Sequence, residues 1–330
     1  MTRPAIAITM GDPAGVGPEV CLKALADPRV AAACAPVIVG SANVLSKVAG
    51  QLGLALPQLV LSPADIEKAF APPGPAVIDI GNIAPRDFAP GKVSAACGKA
   101  AAEYITFAVE GAMAGRFAAV TTAPISKKAL NEAGIAFPGH TEMLESLTGS
   151  GPPVMMLHGP RVTVSLVTTH IALRDVPAAL DRGRIARVIR LTHEGMSRII
   201  GRAPRIAVLA LNCHAGEDGM FGDEEERIIG PAIETARGEG LDVHGPLPPD
   251  TAFSKAALGR YDAHVCMYHD QGLTPFKALS FEEGVNVTLG IPIIRTSVAH
   301  GTAFDIAWQG KADPSSLIAA LALAARMAKG

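Results

Sequence analysis

Short aliphatic runs alternate with longer helical patterns along the whole chain, and this alternation restricts the fold more than any other feature. Ala5–Thr9 reads as a buried strand, followed by a Gly/Pro loop and a helix from about Pro18. Val37–Gly40 is a second strand and leads into a helix from about Ser41. Ala118–Thr122, Val162–Thr168, Arg205–Leu211 and Ala263–Tyr268 are aliphatic or β-branched runs of strand length. Ala95–Arg116, Arg184–Gly201, Asp223–Arg237 and Ser315–Lys329 read as helices. Strands that lie between two layers of helices are apolar on both faces. The expectation is therefore an α/β protein with largely parallel sheets and helices on both sides. No internal repeat interrupts it. The proline-rich Ala71–Pro75 reads as a surface turn, and Ala133–Pro138 is the candidate domain boundary.

The 330 residues suffice for about two domains, and 49% hydrophobic with 18% charged residues is a globular balance. A net charge of −2 gives no field that favours nucleic acid or an anionic membrane, so neither is expected as a partner. The five cysteines (Cys21, Cys34, Cys97, Cys213, Cys266) are dispersed and odd in number, which fits a reducing compartment. No signal-peptide pattern precedes Ala5–Thr9, and the apolar Leu317–Met327 is too short to span a bilayer. The expected location is the cytoplasm.

Three histidines share one context. His170 ends the run Val162–Thr169, His214 follows Ile206–Asn212, and His269 follows Val265–Tyr268. Each therefore sits at the carboxyl end of an expected strand, where ligands bind in open α/β sheets. Their wide spacing excludes a finger-like local site and leaves one assembled by the fold. Two readings stand at this point: three imidazoles holding a divalent ion with positions open for substrate, or three hydrogen-bonded residues at strand ends.

The first loop, Met10–Glu19, has glycines at 11, 15 and 17, which matches neither G-x-G-x-x-G nor a P-loop. It is either a strand-to-helix turn or an anion cradle at a helix start. His140 and Thr141 fall at an expected helix start. Arg295 follows the strand-like Ile291–Ile294, and Lys277 is a second isolated cation. Each cation suits phosphate or carboxylate, and each equally suits a partly buried ion pair. Asn286 is either a phosphate donor or a backbone partner, and Asp250 either a functional acid or a turn residue. Asp223–Arg227 reads as a solvated helix face, and Met155, Met156 and Met196 as core filler.

Several longer motifs occur together: Ile8–Glu19, Phe137–Glu142, Thr168–His170, His214–Glu217, Gly245–Asp250, Met267–Gly272, Val285–Gly290 and Ile294–Ser297. In this order they resemble the 4-hydroxythreonine-4-phosphate dehydrogenase family over nearly the whole chain. The resemblance implies His170, His214 and His269 on one divalent ion per subunit (zinc, magnesium or cobalt). It implies substrate contacts at His140, Thr141, Lys277, Asn286 and Arg295. It also implies a homodimer whose active site both subunits complete. Asp250 and Lys277 are the candidates for proton transfer. His300–Ala307 resembles the cofactor loop of isopropylmalate and isocitrate dehydrogenases, and Gly11–Glu19 resembles their N-terminal loop. NAD is then expected at His300, Gly301, Ala303 and Asp305. The fold expected from this likeness is an α/β/α sandwich with a cleft between two subdomains, 1–135 with 285–330, and 136–284.

Three positions depart from the family pattern. Cys213 stands where proline usually precedes the second histidine, and Ala299 where an acidic residue commonly precedes His-Gly. Trp308 is similar to a branch that acts on D-threonate or D-erythronate 4-phosphate. The implied activity is NAD-linked oxidation and decarboxylation of a phosphorylated hydroxy acid, 4-phosphohydroxy-L-threonine first and the sugar-acid phosphates as the alternative. A non-catalytic phosphate-ligand sensor on the same fold is the alternative of another class.

Overall fold

The structure is a computed structural model and describes residues 3–70, 74–137, 139–280 and 282–329. Residues 71–73 of the expected proline-rich turn and residue 138 of the Phe137–Glu142 motif lie outside the described residues. In chain order the first strands are β1 (Ala5–Thr9), β2 (Ala35–Gly40), β3 (Leu59–Leu61), β4 (Ala76–Asp79), β5 (Ala119–Thr122) and β6 (Val154–His158). They continue with β7 (Thr163–Leu166), β8 (Ile206–Leu209), β9 (Val243–Leu247), β10 (Ala263–Cys266), β11 (Val285–Leu289) and β12 (Arg295–Val298). The fold is α/β.

The chain divides into two compact units, Met1–Pro153 with Ile291–Lys329, and Val154–Gly290. These limits differ from those set on the sequence at 135/136 and 284/285, for two physical reasons. The helix His140–Thr148 buries Met143 and Leu144 against Ile105 and Val109 of the helix Ala95–Met113, which keeps it in the first unit. Val285–Leu289 pairs antiparallel with β6, which keeps it in the second.

In the first unit the strand order is β3-β4-β2-β1-β5-β12, and every pair is parallel. The strands β1 and β2 read as unbroken apolar runs because they are packed on both faces. Ile6, Ile8, Val37, Ile38 and Val39 share one core with Leu317 and Leu321 of the helix Ser315–Met327. Each such side chain contributes about 1.5–3 kcal/mol on burial. Serines start three of the helices: the hydroxyls of Ser41, Ser94 and Ser126 accept from the backbone N–H groups of Val44, Cys97 and Ala129. The chain runs from β1 to β2 on one side and returns to β5 on the other. Beyond the carboxyl ends of β1 and β5 lies the switch point where such sheets take ligands.

In the second unit the order is β11-β6-β7-β10-β8-β9. The pairing stays largely parallel, as expected, with one antiparallel exception: β6 pairs antiparallel with both β11 and β7. A tight turn joins β6 to β7, with Gly159 N–H donating to Val162 O at 3.0 Å, and so short a connection permits only a hairpin. The pairs β7/β10, β10/β8 and β8/β9 are parallel.

Two local expectations also change. Ile291–Ile294 is not a strand; Pro292 has no N–H to give a ladder, and β12 begins at Arg295 itself. The expected helix from Asp223 is one turn of π-helix (Glu225–Ile229) running into an α-helix (Gly230–Gly238), and Glu225 is buried rather than solvated. Met156 and Met196 are buried in the core as expected. Among the described residues no helix is long and apolar enough to cross a membrane.

Candidate active site

Arg295 opens β12 and is 2% exposed. Its Nη2 donates to Thr122 Oγ1 at 2.6 Å, at the carboxyl end of the adjacent strand β5. Burial pushes the guanidinium pKa down to about 9, so it is still a cation at neutral pH. His140 begins the helix His140–Thr148, with Thr141 behind it. Burial first, and the Arg295 charge second, hold the His140 pKa well below 6.5. The ring is therefore neutral, and its Nε2 is shielded from solvent with no hydrogen-bond partner among the described residues. A fixed cation beside a neutral imidazole and a hydroxyl suits an anionic ligand that carries hydroxyls.

Two motifs from opposite ends of the chain meet in the same unit. Val16 N–H donates to Thr302 O at 3.0 Å. Gly15 lies so close that a Cβ there would come within 2.9 Å of the same oxygen. Glu19 is fully buried; it pairs with Lys23 at 2.8 Å and accepts from Ala312 N–H at 2.9 Å. Lys23 in turn donates to Gly310 O and Ala312 O. Trp308 is held by Nε1 on Pro13 O at 3.3 Å, by Gln51 on its carbonyl at 2.8 Å, and by the Phe88 ring. These contacts lash the His300–Ala312 segment to the first loop.

Two polar atoms beside this junction lack partners. His300 Nδ1 donates to Gly301 O at 2.9 Å, while among the described residues its Nε2 is buried with no hydrogen-bond partner. Asp12 Oδ1 accepts from Ala14 N–H at 2.9 Å, while its Oδ2 is buried and unsatisfied. Burial raises the Asp12 pKa to about 6, against the lowering effect of the Ala14 N–H. Spare acceptors on a loop at the switch point fit a ligand rich in hydroxyl and amide donors, as a dinucleotide is. Ala303 has φ 41° and Gly301 is exposed on the same segment, with Asp305 exposed just beyond.

The metal candidates belong to the second unit. His170, His214 and His269 follow β7, β8 and β10, and these three strands are neighbours in the order β7-β10-β8, all parallel. Their loops therefore leave the same edge of the sheet. The rings of His170 and His269 come together, with centroids 5.7 Å apart. His269 Nδ1 donates to Asp270 Oδ1 at 2.7 Å, an arrangement that fixes the ring and leaves Nε2 to serve as a ligand. The His214 ring instead lies 6.2 Å from that of Phe221. Among the described residues no three His, Cys, Asp or Glu side chains form a ready-made metal cage. The donor chemistry and the shared edge suit a divalent ion, with one pair of imidazoles already together.

The other candidates of this unit lie on separate elements. Lys277 is exposed on the helix His269–Ser280, Asn286 lies half-buried on β11 opposite Leu157, and Asp250 is exposed in the short helix Pro249–Ala252.

The sequence pattern described as pyridoxal phosphate biosynthetic protein PdxA matches residues 32–324. The chain belongs to the PdxA family. A PdxA-family relative from Geobacter metallireducens, a 4-hydroxythreonine-4-phosphate dehydrogenase, is 49% identical over 328 residues, covering 99% of this chain and 96% of its own. A D-threonate 4-phosphate dehydrogenase from Pectobacterium atrosepticum is 44% identical over 323 residues, covering 98% of this chain and 99% of its own. A solved 4-hydroxythreonine-4-phosphate dehydrogenase from Burkholderia phymatum is 45% identical with a TM-score of 0.86, covering 99% of both chains. Within this PdxA-family framework, Asp12, Glu19, Asn212 and Glu225 are polar residues to which the sequence alone assigns no role. The first two are signalled in the sequence by the odd glycine spacing of the first loop and by the Ile8–Glu19 motif.

Proposed function

We propose that the protein oxidises and decarboxylates 4-phosphohydroxy-L-threonine to 3-amino-2-oxopropyl phosphate with NAD and a divalent ion, in pyridoxal 5′-phosphate synthesis. The observation that carries this reading is the departure of three histidine loops from one edge of three adjacent parallel strands. It stands in a chain whose relatives bear that dehydrogenase name.

His170, His214 and His269 would hold the ion, zinc, magnesium or cobalt. When bound, the ion supplies Lewis acidity toward the 3-hydroxyl and NAD supplies the hydride acceptor. The residues of the chain do the rest. Arg295, with His140 and Thr141, binds anionic oxygen and orients the ligand. Lys277 and Asn286 share the phosphate. Asp250 and Lys277 take the hydroxyl proton as hydride leaves C3. The 3-oxo acid then loses carbon dioxide, and the same groups return a proton to the carbon that bore it. His300, Gly301, Ala303 and Asp305 line the cofactor segment.

A homodimer completes this site. The loops that carry two of the histidines also expose large apolar side chains: Ile171 (44%) and Leu173 (68%) follow His170, and Met220 (73%) and Phe221 (45%) follow His214. Side chains of this kind on adjoining loops call for a covering surface, and a second copy of the chain provides one. The cytoplasm is the proposed compartment, in keeping with five free cysteines.

The test is NADH formation by purified protein with a divalent ion, supplied separately with 4-phosphohydroxy-L-threonine and with D-threonate or D-erythronate 4-phosphate. Preference for the first supports the proposal. Preference for a sugar-acid phosphate moves the enzyme to the branch of the Pectobacterium relative, and no NADH from any of them removes the substrate assignment.

A further inference from the structure

We propose that Glu225 is the positioning residue for His214, holding the loop that carries this histidine in the conformation a metal ligand needs. The inference rests on the metal reading of His170, His214 and His269 and adds a residue to it.

Glu225 is buried, 7% exposed, at the first turn of the π-helix. Its Oε1 accepts from the N–H groups of Leu211 (2.7 Å) and Asn212 (2.9 Å), and its Oε2 accepts from Asn212 Nδ2 (2.9 Å). Asn212 Nδ2 also donates to Glu224 Oε2 at 2.7 Å. The carboxylate thus seizes the chain two residues before His214. Among the described residues no Lys or Arg forms an ion pair with Glu225. A buried carboxylate held by N–H groups alone is costly, and a cation on the nearby histidine would offset that cost.

Beyond Asn212 the backbone enters a run of conformations that does not persist unaided. His214, Ala215, Gly216, Glu217, Asp218 and Gly219 all have positive φ, at 51°, 54°, 82°, 42°, 55° and 86°. Four of the six have a Cβ that disfavours this region, and such strain survives only where the surroundings over-determine it. The surroundings here are the same carboxylate and amide. A Cβ on Gly216 would come within 2.9 Å of Glu225 Oε2, and one on Gly222 within 2.5 Å of Asn212 Nδ2. The loop leaves β8, closes over the Glu225–Asn212 pair and returns to the π-turn. The wider π-turn is a common device for turning a side chain toward a functional site.

The test uses the full-length protein stripped of metal. Zinc affinity is measured by competition with a chromogenic chelator for the wild type, Glu225→Gln, His214→Ala and the double variant. NADH affinity by fluorescence and the melting temperature of the metal-free protein serve as controls. Glutamine keeps one acceptor oxygen but sets an NH2 against the Asn212 amide. The expected result is zinc binding weakened by about 10–100-fold in Glu225→Gln, with both controls unmoved. The double variant should bind no more weakly than His214→Ala alone, because the two residues act through one ligand. If Glu225→Gln does not fold, Asn212→Ala, which keeps both backbone bonds to Glu225, should show a smaller loss and the same non-additivity. Wild-type zinc binding by Glu225→Gln beside a weakened His214→Ala, or losses that simply add, would overturn the role of Glu225. Unchanged zinc binding in His214→Ala would instead remove the metal reading, and this proposal with it.

Discussion

The two units of the chain present their polar residues in opposite ways. In the first, Arg295 is buried on Thr122, His140 is held neutral beside it, and Glu19 and Lys23 bind the His300–Ala312 segment to the first loop. In the second, His170 and His214 are exposed, on loops that also expose Leu173 and Met220. The first unit holds its charges buried within one chain, at a desolvation cost that shows in the shifted pKa values of Arg295 and Asp12. The second leaves its candidate ligands on open loops, where the proposed ion and second subunit would complete them. Changes in the first unit should therefore alter binding and stability together, in either direction, while changes in the second should strike assembly and metal retention.

The strongest way to break this contrast is Arg295→Met. The substitution removes the cation that burial disfavours, so the melting temperature should rise by a few degrees while kcat/KM falls about 100-fold through loss of charge-assisted binding. Calorimetry and steady-state kinetics on the same sample check it, and a fall in both would show that the cation supports the fold rather than the ligand. Next in size is the pair Leu173→Glu with Met220→Glu. The expected product is a folded monomer by light scattering, with most activity lost. A persisting dimer would place the interface elsewhere.

Glu19→Gln sharpens the contrast from the other side. It leaves the Lys23 charge against two carbonyls only, which should cost about 1–3 kcal/mol of stability. The KM for NAD should rise several-fold as the His300–Ala312 segment loosens, and zinc affinity should stay unchanged. An altered zinc affinity would mean that the two units are not independent in this respect.

The smallest effect concerns pH. The folded-state pKa of Asp12 is raised to about 6 from 3.8, so the folded chain holds this proton more tightly than the unfolded one. Its contribution to stability is complete below about pH 4 and is lost as pH rises through about 6. Asp12→Asn should therefore melt higher than the wild type at pH 7.5, and the gap should close at acid pH. A gap independent of pH would assign the effect to something other than ionisation.

How much of this is written in the sequence depends on whether the determinant is local. β1 is legible to the residue because a strand packed on both faces is an unbroken aliphatic run. Arg295 is legible as an isolated cation but not as the first residue of β12, since the preceding Ile291–Ile294 has the composition of a strand and Pro292 denies it the ladder. The placement of the three histidines after strands is legible because each follows an aliphatic run. What brings His170 to His269 is the pairing β7-β10-β8, which no local pattern records. Glu225 is illegible for a related reason. Asp223 and Arg227 form the i,i+4 pair of a solvated helix face, and nothing in that stretch shows that Glu225 turns inward to the backbone of Leu211 and Asn212. The lashing of the His300–Ala312 segment to the first loop joins Glu19 to Ala312 and is visible in the sequence only as two motif resemblances.

The proposed function stands or falls on a divalent ion held by the three histidines. Metal content by atomic emission decides it, with NADH formation alongside, for the wild type and for His170→Ala, His214→Ala and His269→Ala after chelation and controlled reloading. The expected result is one ion per chain in the wild type, loss of the ion and of turnover in each variant, and recovery of the chelated wild type on reloading. Full NADH formation by the chelated wild type, or an ion retained in all three variants, would contradict it.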